Sequence, residues 1–359
     1  MDFPVRNQPE IRVVTGRLVG AVLFCFGMCA PHPGASQTVE IRNAEMLVMP
    51  GPVDSNSPAV WHGGKFVLFN SANVPFRAEA DNANDVFNQL STQVLIDNVF
   101  RQPIWIEAAW RRADGTIYAW YHHEMVGFCP DWKLSVPVIG ALVSRDGGVS
   151  FEDLGIVLAS GDPVRCDAQN GYFVGGHGDF TVIPDPEHQY FYFYFGNYGG
   201  SPEAQGISVA RMAFRHLDHP VGAVYKYFEG AWDEPGLGGR STPIFPVNVP
   251  WERADTDAFW GPAIHWNTYL ESYVMLLNRS CCEPGFPQEG IYISLNPDIS
   301  DPEGWTTPAP ILKSADFEAP LGWYPQVLGM EPGETDTVAG KKARLFLHGT
   351  SFWEIEFER

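Results

Sequence analysis

The chain has few basic residues, no apolar run of membrane-spanning length and no long segment of helical periodicity. Of its 359 residues, 23 are Lys or Arg and 43 are Asp or Glu, which gives a formal charge of −20 at pH 7. A surface of that charge repels nucleic acid and anionic membranes, and no basic cluster reverses the balance locally. Without strand–helix–strand signals, an α/β fold is disfavoured. The absences therefore leave an all-β protein with no nucleic-acid partner and no membrane span.

Cysteine is scarce and follows no metal-binding spacing. The six cysteines form no paired Cys-x-x-Cys pattern, and the chain has no His-Glu-x-x-His motif. We therefore predict no zinc site and no cofactor. Four cysteines follow residue 36 and can pair in three ways: Cys129, Cys166, Cys281 and Cys282. A bridge from Cys129 to Cys166 is the more natural one, because a bridge between adjacent cysteines is strained.

Residues 1–36 have the pattern of a secretory leader. Three arginines precede the apolar run Leu18–Ala30, which is too short for a typical membrane span. Small and turn-forming residues at 31–37 then suit cleavage. We predict a signal peptide at 1–36 and one domain at 37–359, which acts as a monomer in a secreted or periplasmic location.

Glycine, proline and aromatic residues are abundant, which indicates short strands joined by many turns. The chain contains 36 Gly and 30 Pro, and aromatic residues make up 14%. Sets of three or four predicted strands recur five times, about every 60 to 65 residues, the layout of a five-bladed β-propeller. A lone strand at 38–42 is predicted to complete the fifth set and close the ring. Two packed sandwiches are the competing fold, disfavoured because the sets recur evenly.

Three stretches are predicted to be long loops, and the last two of them interrupt this rhythm. They are 72–91, which is rich in Asn and Asp, 229–258, and the polar stretch 331–341. Loops of such length in a compact domain are either functional or variable surface.

Acidic residues take matched positions on the first strands of neighbouring sets. When the openings of the five sets are aligned, one position holds Pro58, Glu107, Asp179, Pro262 and Pro325. In a propeller the innermost strands line the channel, so Glu107 and Asp179 are expected to face one pocket at its mouth. Asp54 precedes the first set and can reach the same mouth. A lone acid at a strand end more often caps a turn, so the pairing carries the prediction of catalytic residues.

Aromatic residues at the same openings indicate a carbohydrate ligand, an oligo- or polysaccharide. They are Trp105, Trp260, Trp323 and Tyr324. Aromatic faces stack on sugar rings, and paired carboxylates catalyse cleavage of glycosidic bonds by acid–base transfer. One carboxyl group must remain protonated, which burial or a neighbouring carboxylate achieves. His177, His265 and Glu124 are further substrate-binding candidates; Glu124 is also an alternative acid. Metal binding by His122-His-Glu124 is disfavoured, because adjacent strand residues face opposite ways.

The five sets, with acids on the first three, resemble the five-bladed propeller glycoside hydrolases over about residues 38–359. That group includes arabinanases, arabinofuranosidases, xylosidases and fructosidases. The resemblance implies that Asp54 is general base or nucleophile, that Glu107 tunes a pKa and orients the sugar, and that Asp179 is general acid. The chain departs from the family pattern, because Ser57 rather than Asp precedes Pro58, and the second and third acids are exchanged in type. Which acid has which role therefore stays open.

A second resemblance is local. Ser144–Phe151, with the sequence Ser-Arg-Asp-Gly-Gly-Val-Ser-Phe, resembles the Asp-box of sialidase-like propellers. By that resemblance Asp146 bonds to backbone and Phe151 packs inward, which is a structural role. Sialidases also need an arginine cluster, and nothing in the sequence groups the arginines. We predict a glycoside hydrolase, with a sialidase-like exo-glycosidase or a non-catalytic sugar-binding propeller as alternatives.

Overall fold

The structure, a computed structural model, describes residues 11–15, 37–317 and 321–359 and has the predicted five-bladed β-propeller fold. Blade 1 consists of Ala59–His62, Lys65–Ala72, Val74–Ala80 and Thr92–Gln93. Blade 2 consists of Ile104–Arg111, Ile117–Met125, Val136–Ser144 and Ser150–Leu158, with Leu95–Ile96 at its outer edge. Blade 3 consists of His177–Pro184, Tyr190–Asn197, Gly206–Ala213, Val224–Phe228 and Ala231–Pro235, and Phe245–Pro246 also pairs with its third strand. Blade 4 consists of Ala258–Asn267, Ser272–Ser280, Gln288–Asn296 and Ala309–Lys313, with Val338–Ala339 beside its first strand.

Blade 5 joins the two ends of the chain, as the sequence predicts. From the inside outward it consists of Gln326–Leu328, Lys342–Leu347, Thr350–Glu358, Gln37–Val48 and Ile11–Thr15. Ile41 pairs with Ile355, so the strand that begins at residue 37 closes the ring. Except for 11–15, residues 1–36 lie outside the described part, and the leader and export stay predictions. No helix among the described residues is long and apolar enough to cross a membrane.

The predicted loops contain short strands. The predicted loop 72–91 contains the strand Val74–Ala80, which pairs with Lys65–Ala72. The side chains of Ala78 and Ala80 are buried, whereas those of Arg77 and Glu79, on the other face, form a salt bridge near the surface. The prediction of an uninterrupted loop there is wrong, since the polar composition conceals this alternation. Within the described ranges, helix is confined to short 3₁₀ turns: Asp85–Asn88, Val99–Arg101, Pro202–Ala204, Phe214–His216 and Ser314–Asp316.

The aromatic strand Tyr190–Asn197 packs between two other blades. Because successive side chains of a strand face opposite ways, Phe191 and Phe193 contact Trp120 of blade 2. Tyr194 faces the other way and lies 5.6 Å from Trp305, in the core shared with blade 4. Burying each such ring contributes roughly 1.5 to 3 kcal/mol. The sequence alternation therefore accounts for the stacking of three blades.

The turn at Asp146 and one disulfide agree with the expectations from the sequence, and a second disulfide differs from them. Asp146 accepts the backbone N–H of Ser150 at 3.0 Å, and Phe151 is buried, as expected for that turn. Cys129 and Cys166 form the predicted disulfide. The adjacent Cys281 and Cys282, a pairing that the sequence reasoning disfavoured, are bonded as well.

Side-chain amides tie the blades together around the channel. Asn56 Nδ2 donates to the carbonyl oxygens of Phe180 at 3.0 Å and of Pro262 at 2.9 Å. Gln326 Oε1 accepts the backbone N–H of Ser57 at 2.7 Å, and its Nε2 donates to the Ser57 carbonyl. The segment leading into blade 1 is thereby bonded to blades 3, 4 and 5.

Replacing Asn56 with Ala should destabilise the propeller. The change leaves two buried carbonyl groups without their donor, which costs about 1 to 3 kcal/mol. Urea unfolding followed by tryptophan fluorescence measures the loss. Asn88→Ala, at an exposed site, is the control and should change the free energy of unfolding by less than about 0.5 kcal/mol. Equal stability of the two variants would contradict a role for the Asn56 bridge.

Candidate active site

The two acids on the inner strands lie at β-bulges. In blade 2 the pairing register shifts between Ile106 and Ala108, and in blade 3 between Gly178 and Phe180. The residues skipped are Glu107 and Asp179, and Asp179 has a positive φ of 44°. A bulge leaves one residue outside the ladder and re-aims its side chain. Both acids therefore leave the regular alternation of their strands.

Glu107 connects blade 2 to blade 3. Its Oε1 lies 3.1 Å from His122 Nδ1, and its Oε2 accepts the backbone N–H of Phe180 at 2.9 Å. Gly178 leaves the space for His122, because a Cβ at 178 would lie 2.8 Å from its Cε1. Since Phe180 directly follows Asp179, the bond from Glu107 also fixes the backbone at the second acid.

Burial and ion pairing set the protonation of this buried pair. Burial acts to lower the pKa of His122, but the hydrogen bond and charge of Glu107, with the charge of Asp179, raise it to about 9. Burial raises the pKa of Glu107, and His122 opposes that rise. We assign a protonated His122 paired with an ionised Glu107, so that Nδ1 donates to Oε1, while the buried Nε2 has no hydrogen-bond partner among the described residues.

Asp179 is an acid that holds its proton near neutral pH. Burial is the main cause that raises its pKa to about 7; the charge of Glu107 adds to the rise, and the charge of His122 opposes it. The hydroxyl of Tyr198 donates a hydrogen bond to Asp179 Oδ2. The pKa of Tyr198 lies well above its usual range because the phenol is buried, so it remains a donor.

Asp54 approaches the same group from the segment before blade 1. It is half-buried, and this burial raises its pKa, while the charge of His348 lowers it. The charge of Glu124 also acts on Asp54, and Glu124 Oε1 lies 3.9 Å from His122 Nε2. The ring of Trp105 lies 5.5 Å from that of His122. Asp54, Glu124 and Trp105 thus border the buried acids on one side.

Blade 5 contributes Tyr324, which lies beside all of these carboxylates. Burial raises the pKa of Tyr324 well above its usual range, and the charges of Asp179, Asp54, Glu107 and Glu124 raise it further. Its ring stacks on that of His348 at 6.3 Å. The structure therefore brings the three predicted acids together at one end of the channel.

Aromatic side chains cover the other side of the acids. We call this set the mouth cluster, and it consists of Phe173, Tyr198, Trp251, Trp260, Phe286, Trp323 and Tyr324. Trp260 lies 5.4 Å from Trp323 and 5.7 Å from Tyr324. Phe173 stacks on Tyr198 at 4.2 Å. The predicted aromatic residues at 260, 323 and 324 thus lie together beside the acids.

Two predicted sugar-binding histidines lie in the blade cores instead. The ring of His177 packs 4.6 Å from that of Phe195, and its Nδ1 lies 3.0 Å from the Gly176 carbonyl oxygen. His265 packs 5.6 Å from Phe357, and burial lowers its pKa to about 3. Both are almost completely buried. Their placement at the pocket is wrong, because their side chains are turned into the packing between strands.

Sequence reasoning missed three residues of the site. The sequence pattern gives no signal for Tyr198 or His348, and it indicates His122 only as part of a disfavoured metal site. The information that was needed is the antiparallel pairing within each blade. This pairing places the end of the second strand beside the start of the first strand. His122 pairs with Trp105 in this way, and Tyr198 follows Asn197, the partner of His177.

The buried acids and His122 could also hold a cation. One ligand atom from each of Glu107, His122 and Asp179 lies within 4.8 Å of the other two. Carboxylate and imidazole ligands suit several divalent metals, which would displace the proton from the imidazole nitrogen they bind. Asp257 also lies near Cys281 and Cys282, but the disulfide occupies their sulfur atoms.

Comparison with known proteins supports the fold. No family profile and no curated protein matches the sequence. An α-L-arabinofuranosidase from Lactobacillus brevis is 12% identical, with 86% of this chain and 92% of that chain covered and a TM-score of 0.51. A thermostable family-43 glycoside hydrolase is 12% identical over the same shares, with a TM-score of 0.49. An α-L-arabinofuranosidase from Podospora anserina is 9% identical over 88% and 96%, with a TM-score of 0.49. At 12% identity, the likeness to the Lactobacillus brevis enzyme shows the propeller fold alone.

Two of the buried histidines, His122 and His265, provide a direct test of the electrostatics. Nitrogen NMR of histidine-labelled protein at pH 6 should show His122 protonated on both nitrogens and His265 neutral, because their pKa values lie near 9 and near 3. Glu107→Gln removes the charge that raises the His122 pKa, so His122 should then be neutral at pH 7. A neutral His122 at pH 6 in the parent protein would contradict the ion pair.

Proposed function

We propose that the protein is a glycoside hydrolase with Asp179 as general acid and Asp54 as general base or nucleophile. The observation that carries the proposal is the contrast between these two carboxyl groups. Asp179 is almost completely buried and retains its proton to about pH 7, whereas Asp54 is half-buried and accessible. Two carboxyl groups whose surroundings separate their pKa values are suited to acid–base cleavage of glycosidic bonds. The fold shared with an arabinofuranosidase is consistent with this role.

The surroundings of Asp179 suit proton donation. Because Tyr198 donates to Oδ2, the other carboxyl oxygen is available to carry the proton toward the leaving oxygen of the sugar. After transfer, the Asp179 anion is stabilised by the Tyr198 hydroxyl and by the charge of protonated His122. Glu107 retains that charge on His122 and does not touch the substrate, so it positions and tunes the acid.

Asp54 is suited to the complementary step. The charge of His348 favours its ionised form and opposes the effect of burial. An ionised Asp54 at the accessible side can take a proton from water or attack the anomeric carbon directly. Phe173 and Trp323, the partly exposed members of the mouth cluster, provide apolar faces on which a sugar ring packs, whereas Trp105, Trp260 and Tyr324 are buried behind them.

The charge of the site favours a neutral sugar over a sialic acid. Among the described residues, no arginine contacts Asp54, Glu107 or Asp179. Arg279 pairs with Asp257 at 2.9 Å, and Arg211 lies over the rings of Tyr190 and Trp232. A sialidase needs arginines for the substrate carboxylate, so a sialidase-like activity has no support from this geometry.

Replacing the acids should abolish hydrolysis while the protein remains folded. Asp179→Asn and Asp54→Asn should each lower kcat by about 100 to 10,000-fold, because acid–base transfer contributes that much. Glu107→Gln should also lower kcat, through Asp179. The measurement is hydrolysis of a panel of aryl glycosides and neutral polysaccharides. The exposed Asp316→Asn is the control and should retain the parent rate.

Two results would overturn the proposal. One is parent-like hydrolysis in both Asp179→Asn and Glu107→Gln. The other is a parent protein that binds sugars in this panel and cleaves none of them, which would make it a non-catalytic sugar-binding propeller.

The dependence of kcat/KM on pH should follow the protonation of Asp179. Above about pH 7 the acid loses its proton, so kcat/KM should fall as pH rises through that value. At low pH the rate should fall again as Asp54 becomes protonated. Tyr198→Phe removes a hydrogen bond that lowers the pKa of Asp179, so the alkaline limb should move upward by about one pH unit. Tyr194→Phe changes another buried tyrosine of blade 3 and should leave the profile in place. An alkaline limb that does not move in Tyr198→Phe would contradict Asp179 as the acid.

A further inference from the structure

Two loops beside the acids form a wall that is held together covalently. The first, 126–134, begins two residues after Glu124, and the second, 160–174, leads into the inner strand of blade 3. Cys129 and Cys166 join them, with Cα atoms 5.5 Å apart. We call these two loops the outer wall.

Backbone pairing fixes the outer wall to the propeller. The N–H of Ser135 donates to the Tyr172 carbonyl at 2.9 Å, and the N–H of Val174 donates to the Ser135 carbonyl at 3.0 Å. Leu134 and Val174 are buried against the disulfide. The wall therefore does not depend on a ligand for its position.

The outer wall presents large apolar side chains to solvent. Trp132 is 70% exposed and Phe128 is 50% exposed, and Val126 is also exposed. Leaving rings of this size in contact with water is unfavourable. Exposed aromatic side chains grouped on a fixed loop pair next to a site indicate a binding surface.

The inner side of the wall continues into the mouth cluster. Tyr172 lies 5.5 Å from Phe286 and 6.1 Å from Trp323. The next residue, Phe173, stacks on Tyr198, which donates to Asp179. Trp132 is three residues from Ser135, so its Cα lies at most roughly 11 Å from the strand that pairs with 172–174. Aromatic side chains thus extend from Asp179 to Tyr172, and Trp132 lies on the loop that the disulfide joins to this segment.

We propose that the outer wall binds the outer units of an uncharged polysaccharide whose end lies at Asp179 and Asp54. This inference rests on the proposed function for the orientation of the chain and deepens it by naming a polymeric, neutral substrate. The exposed rings of Phe128, Trp132 and Tyr172 offer apolar faces to sugar units that lie beyond the acids. The protein's charge of −20 disfavours polyanionic glycans.

The outer wall has no excess of positive charge, because its two basic residues, Lys133 and Arg165, are outnumbered by Asp131, Asp162 and Asp167, which favours the same class of ligand. Arg165 bonds to Asp167 at 3.1 Å and reaches Glu252 at 3.5 Å. Arg165 is thereby engaged with carboxylates of the protein itself. A neutral polysaccharide needs no such cation, whereas an acidic polysaccharide or an anionic membrane does.

Binding measured in the Asp179→Asn background tests the outer wall, because the polymer is then not consumed. The probes are a linear arabinan and a β-1,3-galactan as neutral polymers, polygalacturonate as an acidic one, and phosphatidylcholine vesicles. Trp132→Ala combined with Phe128→Ala should weaken binding of the neutral polymer at least tenfold. Trp132→Phe retains a ring and should restore most of the affinity lost in Trp132→Ala.

The matched control is Tyr225→Ala, an exposed aromatic residue on blade 3. Across successive strands of blade 3, Tyr225 pairs with Arg211, Arg211 with Tyr192 and Tyr192 with Ile183. Ile183 lies at the opposite end of the inner strand from Asp179. This variant should bind the polymers like the parent. Unchanged binding in the double variant, loss of vesicle binding alone, or absence of neutral-polymer binding by the parent would each overturn the inference.

The outcomes separate this inference from the proposed function. The Trp132 and Phe128 variants with Asp179 intact should cleave short aryl glycosides at the parent rate. If aryl glycosides are cleaved but polymer binding does not depend on Trp132, the proposed hydrolase activity is supported and the proposed role of the outer wall is wrong. If polymer binding depends on Trp132 but no substrate is cleaved, the wall stands and the hydrolase fails.

Discussion

The hydrogen bonds of the Glu107 carboxylate are the constraint on which the site depends. One oxygen faces His122 and the other accepts the N–H of Phe180, so a single side chain joins blades 2 and 3 next to Asp179. An ionised carboxylate in so buried a place is costly unless it is paired and hydrogen-bonded. Both oxygens of Glu107 are satisfied, and the backbone on which Asp179 sits is fixed by the same group. The bulge that aims Asp179 into the channel is therefore held from the neighbouring blade.

The Glu107 carboxylate also determines which groups of the site are protonated. Burial alone would neutralise every member, as it does at His265, whose pKa falls to about 3. Contact with Glu107 reverses this at His122 and raises its pKa to about 9. With one carboxylate committed to His122, Asp179 is left with a phenol donor and a raised pKa. One burial effect thus yields a neutral imidazole, an imidazolium and a protonated acid, according to the partner of each.

The sequence was sufficient to predict the propeller, its closure by the strand near residue 38 and the shared position of Glu107 and Asp179, because these follow from strand spacing. It failed where a side chain's direction depends on a bulge. In a regular strand His177 and Asp179 would face the same side. Asp179 is the extra residue of the bulge and has a positive φ, so the two side chains diverge and His177 enters the core. His122 and Tyr198 were missed because their place depends on which strand end returns to the mouth.

Phe173 connects the chemistry of the site to the surface around it. Its ring lies against Tyr198, and its backbone belongs to the segment that pairs with Ser135. Asn170 accepts the backbone N–H of Phe173 at 2.8 Å and donates to its carbonyl at 2.9 Å, so this residue has little freedom to move. Because Tyr198 packs on Phe173 and donates to Asp179, the position of the outer wall and the pKa of Asp179 depend on the same contacts. A wall that shifted with each ligand would change the pKa of Asp179 on binding, and the disulfide and backbone pairing oppose that shift.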